Sequence, residues 1–227
     1  NPNNKWTDKT IAKALADLQA TRSKRFKWNL ISAGIMSPTT DWFNDQDWAQ
    51  RCHNFAILAR LARRAGLKGI MFDDEEYGEG CVFNYEILRR RNAVHGKNLA
   101  ETQAKARQRG REFARAICKE FPDIVFWTLH GYGTPAHLIE YGLPKFGRRL
   151  EAPFFDGMLE GSSEQMVFVD GGELAYGYNT REQFEHGRKM ILEEPIRMGL
   201  TKVPNLFRKK VRCGFGLWPD YYGKLKP

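Results

Sequence analysis

Lys68-Gly69-Ile70-Met71-Phe72-Asp73-Asp74-Glu75-Glu76-Tyr77 is the stretch that decides how this chain folds. Leu67 to Phe72 is a short apolar run of the kind a buried strand needs, and it breaks directly into four consecutive carboxylates. Like charges in a row repel, so a run that follows a buried strand needs a structural reason to persist. Side chains alternate along an extended segment, so Asp73 and Glu75 share one face and Asp74 and Glu76 the other. Whichever pair turns inward becomes a carboxylate pair in a cleft.

The same unit repeats on both sides of this stretch. Upstream, Thr7 to Thr21 has the spacing of an amphipathic helix, with Ile11, Leu15 and Leu18 on one face. Phe26 to Met36 reads as a strand stopped by Ser37-Pro38, and Asp47 to Ala65 as a helix stopped by Gly66. Downstream comes a long helix, Leu99 to Glu120, and then a strand, Ile124 to Leu129, leading into His130-Gly131. Phe154 to Leu159 reads as a strand ending at Glu160, and Met166 to Val169 as one ending at Asp170-Gly171-Gly172-Glu173. A helix from Thr180 to Leu192 and a last strand, Val211 to Leu217, precede Trp218-Pro219-Asp220-Tyr221.

Alternating strands and helices predict an α/β fold with a parallel sheet. Acidic, aromatic and imidazole side chains gather at the strand C-termini, where (β/α)8 TIM barrels build their active sites. The expected architecture is therefore a single barrel-like domain over residues 1–227, with its closure open. Six strand candidates are visible. Either the first units are irregular or some units lie outside this chain.

Composition narrows the partners. Lys and Arg number 36 against 27 Asp and Glu, a net charge of +9, and 42% of the residues are hydrophobic. That apolar share supports a folded core. No run approaches the roughly 18 apolar residues of a membrane span. The basic residues are scattered rather than interleaved with stacking aromatics on one element, which argues against nucleic acid. A basic exterior around an acidic cleft leaves an anionic polymer among the substrate classes. The chain starts Asn1-Pro2-Asn3-Asn4, without Met, so removal of a leader would place it outside the cytoplasm, in the periplasm or medium.

Two carboxylates whose environments push their pKa values apart suit glycoside hydrolysis, which needs a proton donor and a base or nucleophile. Glu75 is the candidate acid. Glu160 and Glu173 are the candidate partners, with Asp73 and Asp170 orienting substrate. Asp74, Glu76, His130 and Asp220 are candidates for binding hydroxyls, and Tyr77, Tyr176 and Trp218 for stacking on sugar faces. Trp42, Trp48, Tyr132, Tyr178 and Tyr221 lie in or beside predicted loops and extend that aromatic set. Trp127, inside a strand, reads as core. The histidines show no His-x-x-x-His spacing and the four cysteines no Cys-x-x-Cys pair, so no metal is expected. No Gly-rich phosphate loop is present, so no nucleotide cofactor is expected either.

The strand-end run also resembles the Asp-x-Glu signatures of barrel-type glycoside hydrolases, most loosely the family 18 chitinases. Those end a strand Asp-x-x-Asp-x-Asp-x-Glu-Tyr. Here Met71 or Phe72 replaces the middle Asp, and the aromatic follows Glu76 rather than Glu75. A broader likeness is to glycoside hydrolases of bacterial polysaccharide degraders. It is carried by Gly69 to Tyr77, by Gly110-Arg111-Glu112-Phe113 with Phe121-Pro122-Asp123, and by Asp170 to Tyr178 ahead of the helix holding Phe184. The resemblance implies a barrel and a poly- or oligosaccharide substrate, and it favours Asp73 and Glu75 over their neighbours. Two alternatives stand beside it: a metal-dependent phosphoester hydrolase and a carbohydrate-binding barrel without turnover.

Overall fold

The helices form where side chains close their first turns. Thr7 and Thr10 make a reciprocal capping box ahead of α1 (Asp8–Ala20), as do Asn98 and Glu101 ahead of α4 (Leu99–Glu120). Asn44 caps α2 (Asp45–Arg64) through the Asp47 amide, and Asn84 caps the short α3 (Tyr85–Arg90). A computed structural model of the chain describes residues 4–21, 25–34, 40–75, 81–143 and 148–216. Of the expected site residues, Glu76, Tyr77, Trp218 and Asp220 lie outside the described residues, as does Tyr221.

Among the described residues, five strands make one parallel sheet in the order β1-β2-β3-β4-β5. They are β1 (Leu30–Gly34), β2 (Gly69–Asp73), β3 (Val125–Thr128), β4 (Val167–Asp170) and β5 (Val211–Cys213). The remaining helices are α5 (Gly133–Glu140), α6 (Glu151–Gly161), α7 (Arg181–Leu192), α8 (Glu194–Arg197) and α9 (Pro204–Lys210). Strand order follows chain order, so every crossover steps the same way along the sheet, and one-handed crossovers deliver the helices to one face.

That face is aromatic. Ile70, Phe126 and Phe168 occupy matching positions on adjacent strands, Phe72 stands two residues along β2 from Ile70 with its ring 5.3 Å from Phe126, and all four are fully buried. Phe72 packs on Phe55 and Phe113, and Phe168 on Phe155 at 4.9 Å between centroids. The opposite face is more open: Ser32 and Arg212 are exposed, and Met71 and Trp127 are half-buried. Trp127 therefore belongs to the helix-free face and not to the helix-packed core.

Phe154 to Leu159 corrects one expected strand. The segment lies in α6, because Phe154, Phe155, Met158 and Leu159 follow a helical period that a short apolar run does not distinguish from a strand. The sequence also explains the packing of this helix. A Cβ on Gly157 would run into the Arg107 backbone carbonyl of α4, and one on Gly110 into the Phe154 carbonyl of α6. Backbone-to-backbone approach at this crossing thus requires glycine on both helices. Gly110→Ala is expected to destabilise the fold by about 3 kcal/mol, the upper end for overpacking. Urea denaturation checks it, and a loss below about 0.5 kcal/mol would mean that the crossing yields freely.

Trp42 and Trp48 are also corrected. Both are fully buried and stacked at 5.0 Å, with their indole N–H groups donating to the Val82 and Asp41 carbonyls. They are core residues between α2, α4 and α6 and cannot stack on a sugar. Tyr132 is fully buried as well and donates to Asp156 at 2.9 Å. All four cysteines are free thiols. Among the described residues, no helix is long and apolar enough to cross a membrane.

Candidate active site

The strand ends bring together two layers of acids. The deeper layer is Asp74, Glu151 and Asp170, each almost wholly shielded from solvent. Asp74 accepts from the His130 amide at 3.0 Å, and its carbonyl accepts from Arg148 at 2.7 Å. Arg148 also donates through Nε to Glu151 Oε1 at 2.9 Å, so one guanidinium spans two buried carboxyls while its plane lies over Phe83. Among the described residues, Glu151 Oε2 has no hydrogen-bond donor. Burial pushes Glu151 well above the usual carboxylate range, against Arg148 and with the nearby Asp74.

Asp170 ends β4 and accepts from the Gly133 and Gly172 amides at 2.8 and 3.2 Å. Burial still raises it to about 6. Gly131 follows from this carboxylate, since a Cβ there would collide with it, whereas a Cβ on Gly133 would meet the Ile191 side chain. Asp74 and Asp170 are therefore positioning residues: their oxygens are spent on the loops that follow β3 and β4. That corrects the expectation that they touch substrate.

The upper layer is Asp73 and Glu75, both half-buried, and the buried Glu173. Asp73, the last residue of β2, accepts from the Glu75 amide at 3.0 Å and so turns the chain sharply after the strand. Gly172 adopts the left-handed conformation at φ 58°, and the chain enters a 3-10 turn, Glu173–Gly177. Glu173 opens this turn, and its carboxyl is near enough to that of Glu75 for the two to interact. Tyr176 donates to Glu173 Oε2 at 2.8 Å. Burial, reinforced by Glu75, raises Glu173 to about 7 against that Tyr176 hydrogen bond. His130 stands beside this pair. Its Nδ1 lies 3.0 Å from Thr134 Oγ1, and burial with the Arg148 charge lowers it to about 4, so it is a neutral imidazole at pH 7.

Glu160 is not brought to this site. It sits on α6, held by Arg107 at 2.6 Å and Arg111 at 2.8 Å, and those ion pairs keep it below the usual carboxylate range. The misread strand is what placed it at a strand end. Glu160→Gln is expected to leave turnover at the wild-type level and to cost about 1 kcal/mol of stability. Side-by-side kinetics and urea melts check this; a lost turnover would return Glu160 to the site.

Arg148 and Glu151 were not singled out by the sequence. Their only signal is an Arg-x-x-Glu spacing ahead of an apolar helix, which is common on solvated surfaces. A cavity of about 510 Å³ opens separately between α4, α5 and α6. Its one carboxylate, Asp156, is occupied by Tyr132, Thr201 and the Lys202 amide, so the cavity has no free acid to react with.

Among the described residues, the strand-end carboxyls do not supply three ligand atoms to one point; the group that does is His137, Glu140 and His186. No family model matches the chain, and no solved structure matches it. The chain is similar to Ribonuclease Z of Staphylococcus saprophyticus subsp. saprophyticus, at 25% identity over 75 residues. That segment covers 33% of this chain and 24% of the ribonuclease.

Proposed function

We propose that the chain is a glycoside hydrolase on a (β/α)8-barrel-like frame, with Glu173 as general acid and Glu75 as its partner carboxylate. The observation that carries this reading is the Glu75–Glu173 pair. Two carboxyls from different strand ends meet, and Glu173 is held near 7, where an acid can still give up its proton at neutral pH. The sequential parallel sheet, with its chemistry at the strand C-termini, supports the barrel reading.

In this mechanism Glu173 protonates the glycosidic oxygen as the bond to the anomeric carbon breaks. Glu75 supplies negative charge to the oxocarbenium-like centre. Retaining enzymes place the two carboxyls about 5–5.5 Å apart and inverting enzymes about 6.5–9.5 Å. Glu75 is the nucleophile in the first case and the base that activates water in the second. Tyr176 steadies Glu173 in the proton-donating position, and His130 offers Nε2 to a substrate hydroxyl. This reverses the acid assignment expected from the sequence, because only the fold shows which carboxyl is buried.

Phosphoester hydrolysis is the second reading, and the partial likeness to a ribonuclease is what favours it. A metal-dependent phosphoesterase needs several ligands converging on its ion. The described strand-end acids do not converge in that way. The test is release of reducing ends from a polysaccharide panel that includes uronic-acid polymers, run beside RNA and bis-p-nitrophenyl phosphate with Mg²⁺. Sugar release without phosphodiester cleavage is expected. Phosphodiester cleavage alone would overturn the proposal, and oligosaccharide binding without release would make the protein a binding module.

A further inference from the structure

We propose that His137, Glu140 and His186 bind a divalent transition-metal ion of the zinc class, joining α5 to α7. The site is independent of the glycosidase reading. His137 and Glu140 lie one turn apart on α5, three residues being the spacing that stacks side chains on one helix face. His186 comes from α7, 46 residues beyond Glu140, which is why no sequence spacing reveals the set.

The geometry is that of a metal site short of closure. One ligand atom from each residue lies within 4.8 Å of the other two. His186 Nε2 is 3.0 Å from Glu140 Oε2, and the two imidazoles meet edge to face at 5.8 Å. Tetrahedral zinc with bonds of ~2.0–2.1 Å spaces its ligand atoms by ~3.3 Å. Glu140 and the half-exposed His186 have the rotamer freedom to close that gap.

The buried member is already oriented. His137 is 4% exposed, and its Nδ1 lies 2.8 Å from the Gly133 carbonyl, which only accepts. The ring proton therefore sits on Nδ1 and the Nε2 lone pair points to the cluster, with the Tyr178 hydroxyl 3.3 Å away. A carbonyl fixing the far nitrogen is the outer-shell arrangement that orients metal-bound histidines. Two imidazoles and one carboxylate suit zinc, cobalt or nickel rather than magnesium or calcium, and they leave a fourth position for water. Such an ion would fix α5, whose first amide holds Asp170, against the helix that follows the Glu173 turn.

The test uses the full chain, stripped by a chelator and dialysed. Zn²⁺ is then titrated against a chromophoric competitor, and Co²⁺ is followed by visible absorption. One ion per chain is expected, with a tetrahedral Co²⁺ band and a rise in Tm at saturating Zn²⁺. His186→Ala and Glu140→Gln change exposed side chains and so keep the fold, and each is expected to weaken Zn²⁺ binding by about 100-fold or more. Absence of micromolar binding would overturn the proposal. Binding unchanged in both variants would do the same, since the ion would then sit on the thiols or the strand-end acids.

Discussion

Glu173→Gln is expected to lower kcat/KM on a natural glycoside by about 10²–10⁴-fold, the usual contribution of a positioned general acid. The amide keeps the side-chain shape and can still accept from Tyr176, so the fold should stand. The loss has a chemical signature. An aryl glycoside with an acidic phenol leaving group needs little protonation, so on that substrate the variant keeps most of its bond-cleaving step. Glu75→Gln behaves differently: it removes the charge that meets the anomeric carbon, and activity falls on good and poor leaving groups alike. Kinetics on one activated and one unactivated substrate check both variants. Equal losses on both substrates for Glu173→Gln would remove it from the acid role.

The second large effect is on stability. Arg148 is the positive group that spans the Asp74 and Glu151 carboxyls, and breaking a buried ion pair by removing one partner costs about 3–5 kcal/mol. Arg148→Met is therefore expected to destabilise the protein by that amount at pH 8. The sign with pH follows from linkage. Burial raises Glu151 in the folded state and Arg148 is what offsets it, so without Arg148 the missing stability is regained as pH falls to the unfolded carboxylate range and lost as pH rises through the raised folded value. Arg148→Met combined with Glu151→Gln removes one of the stranded acids and should be more stable than the single variant at pH 8. Urea melts at pH 8 and in the unfolded carboxylate range check this, and a pH-independent loss would mean that Arg148 acts through packing on Phe83 rather than through charge.

How much of this could be read from the sequence follows from how local each signal is. β2 and its acidic end were legible because a strand-length apolar run breaks straight into charge. The long helices were legible because capping side chains and apolar periods agree over many residues, as in Leu99–Glu120. α6 was not, because the Phe154–Leu159 run is too short for period two and period 3.6 to separate. Asp73, Glu75, Asp170 and Glu173 were found together as strand-end acids. Their division of labour was hidden because it depends on burial: Asp170 disappears beneath glycines, and Glu173, after a left-handed Gly172, is buried where Glu75 is only half-buried. Arg148, Glu151 and the His137 cluster join residues far apart in the chain, and a single sequence has no signal for that.

The most direct test of the Glu75–Glu173 assignment is the alkaline limb of the kcat/KM pH profile, measured on a cleaved substrate for wild type and Glu173→Gln. Glu173 is raised to about 7 and works in its protonated form, so wild-type activity should fall as pH rises through about 7. That limb should vanish in the variant. A wild-type limb that persists unchanged in Glu173→Gln would contradict the assignment.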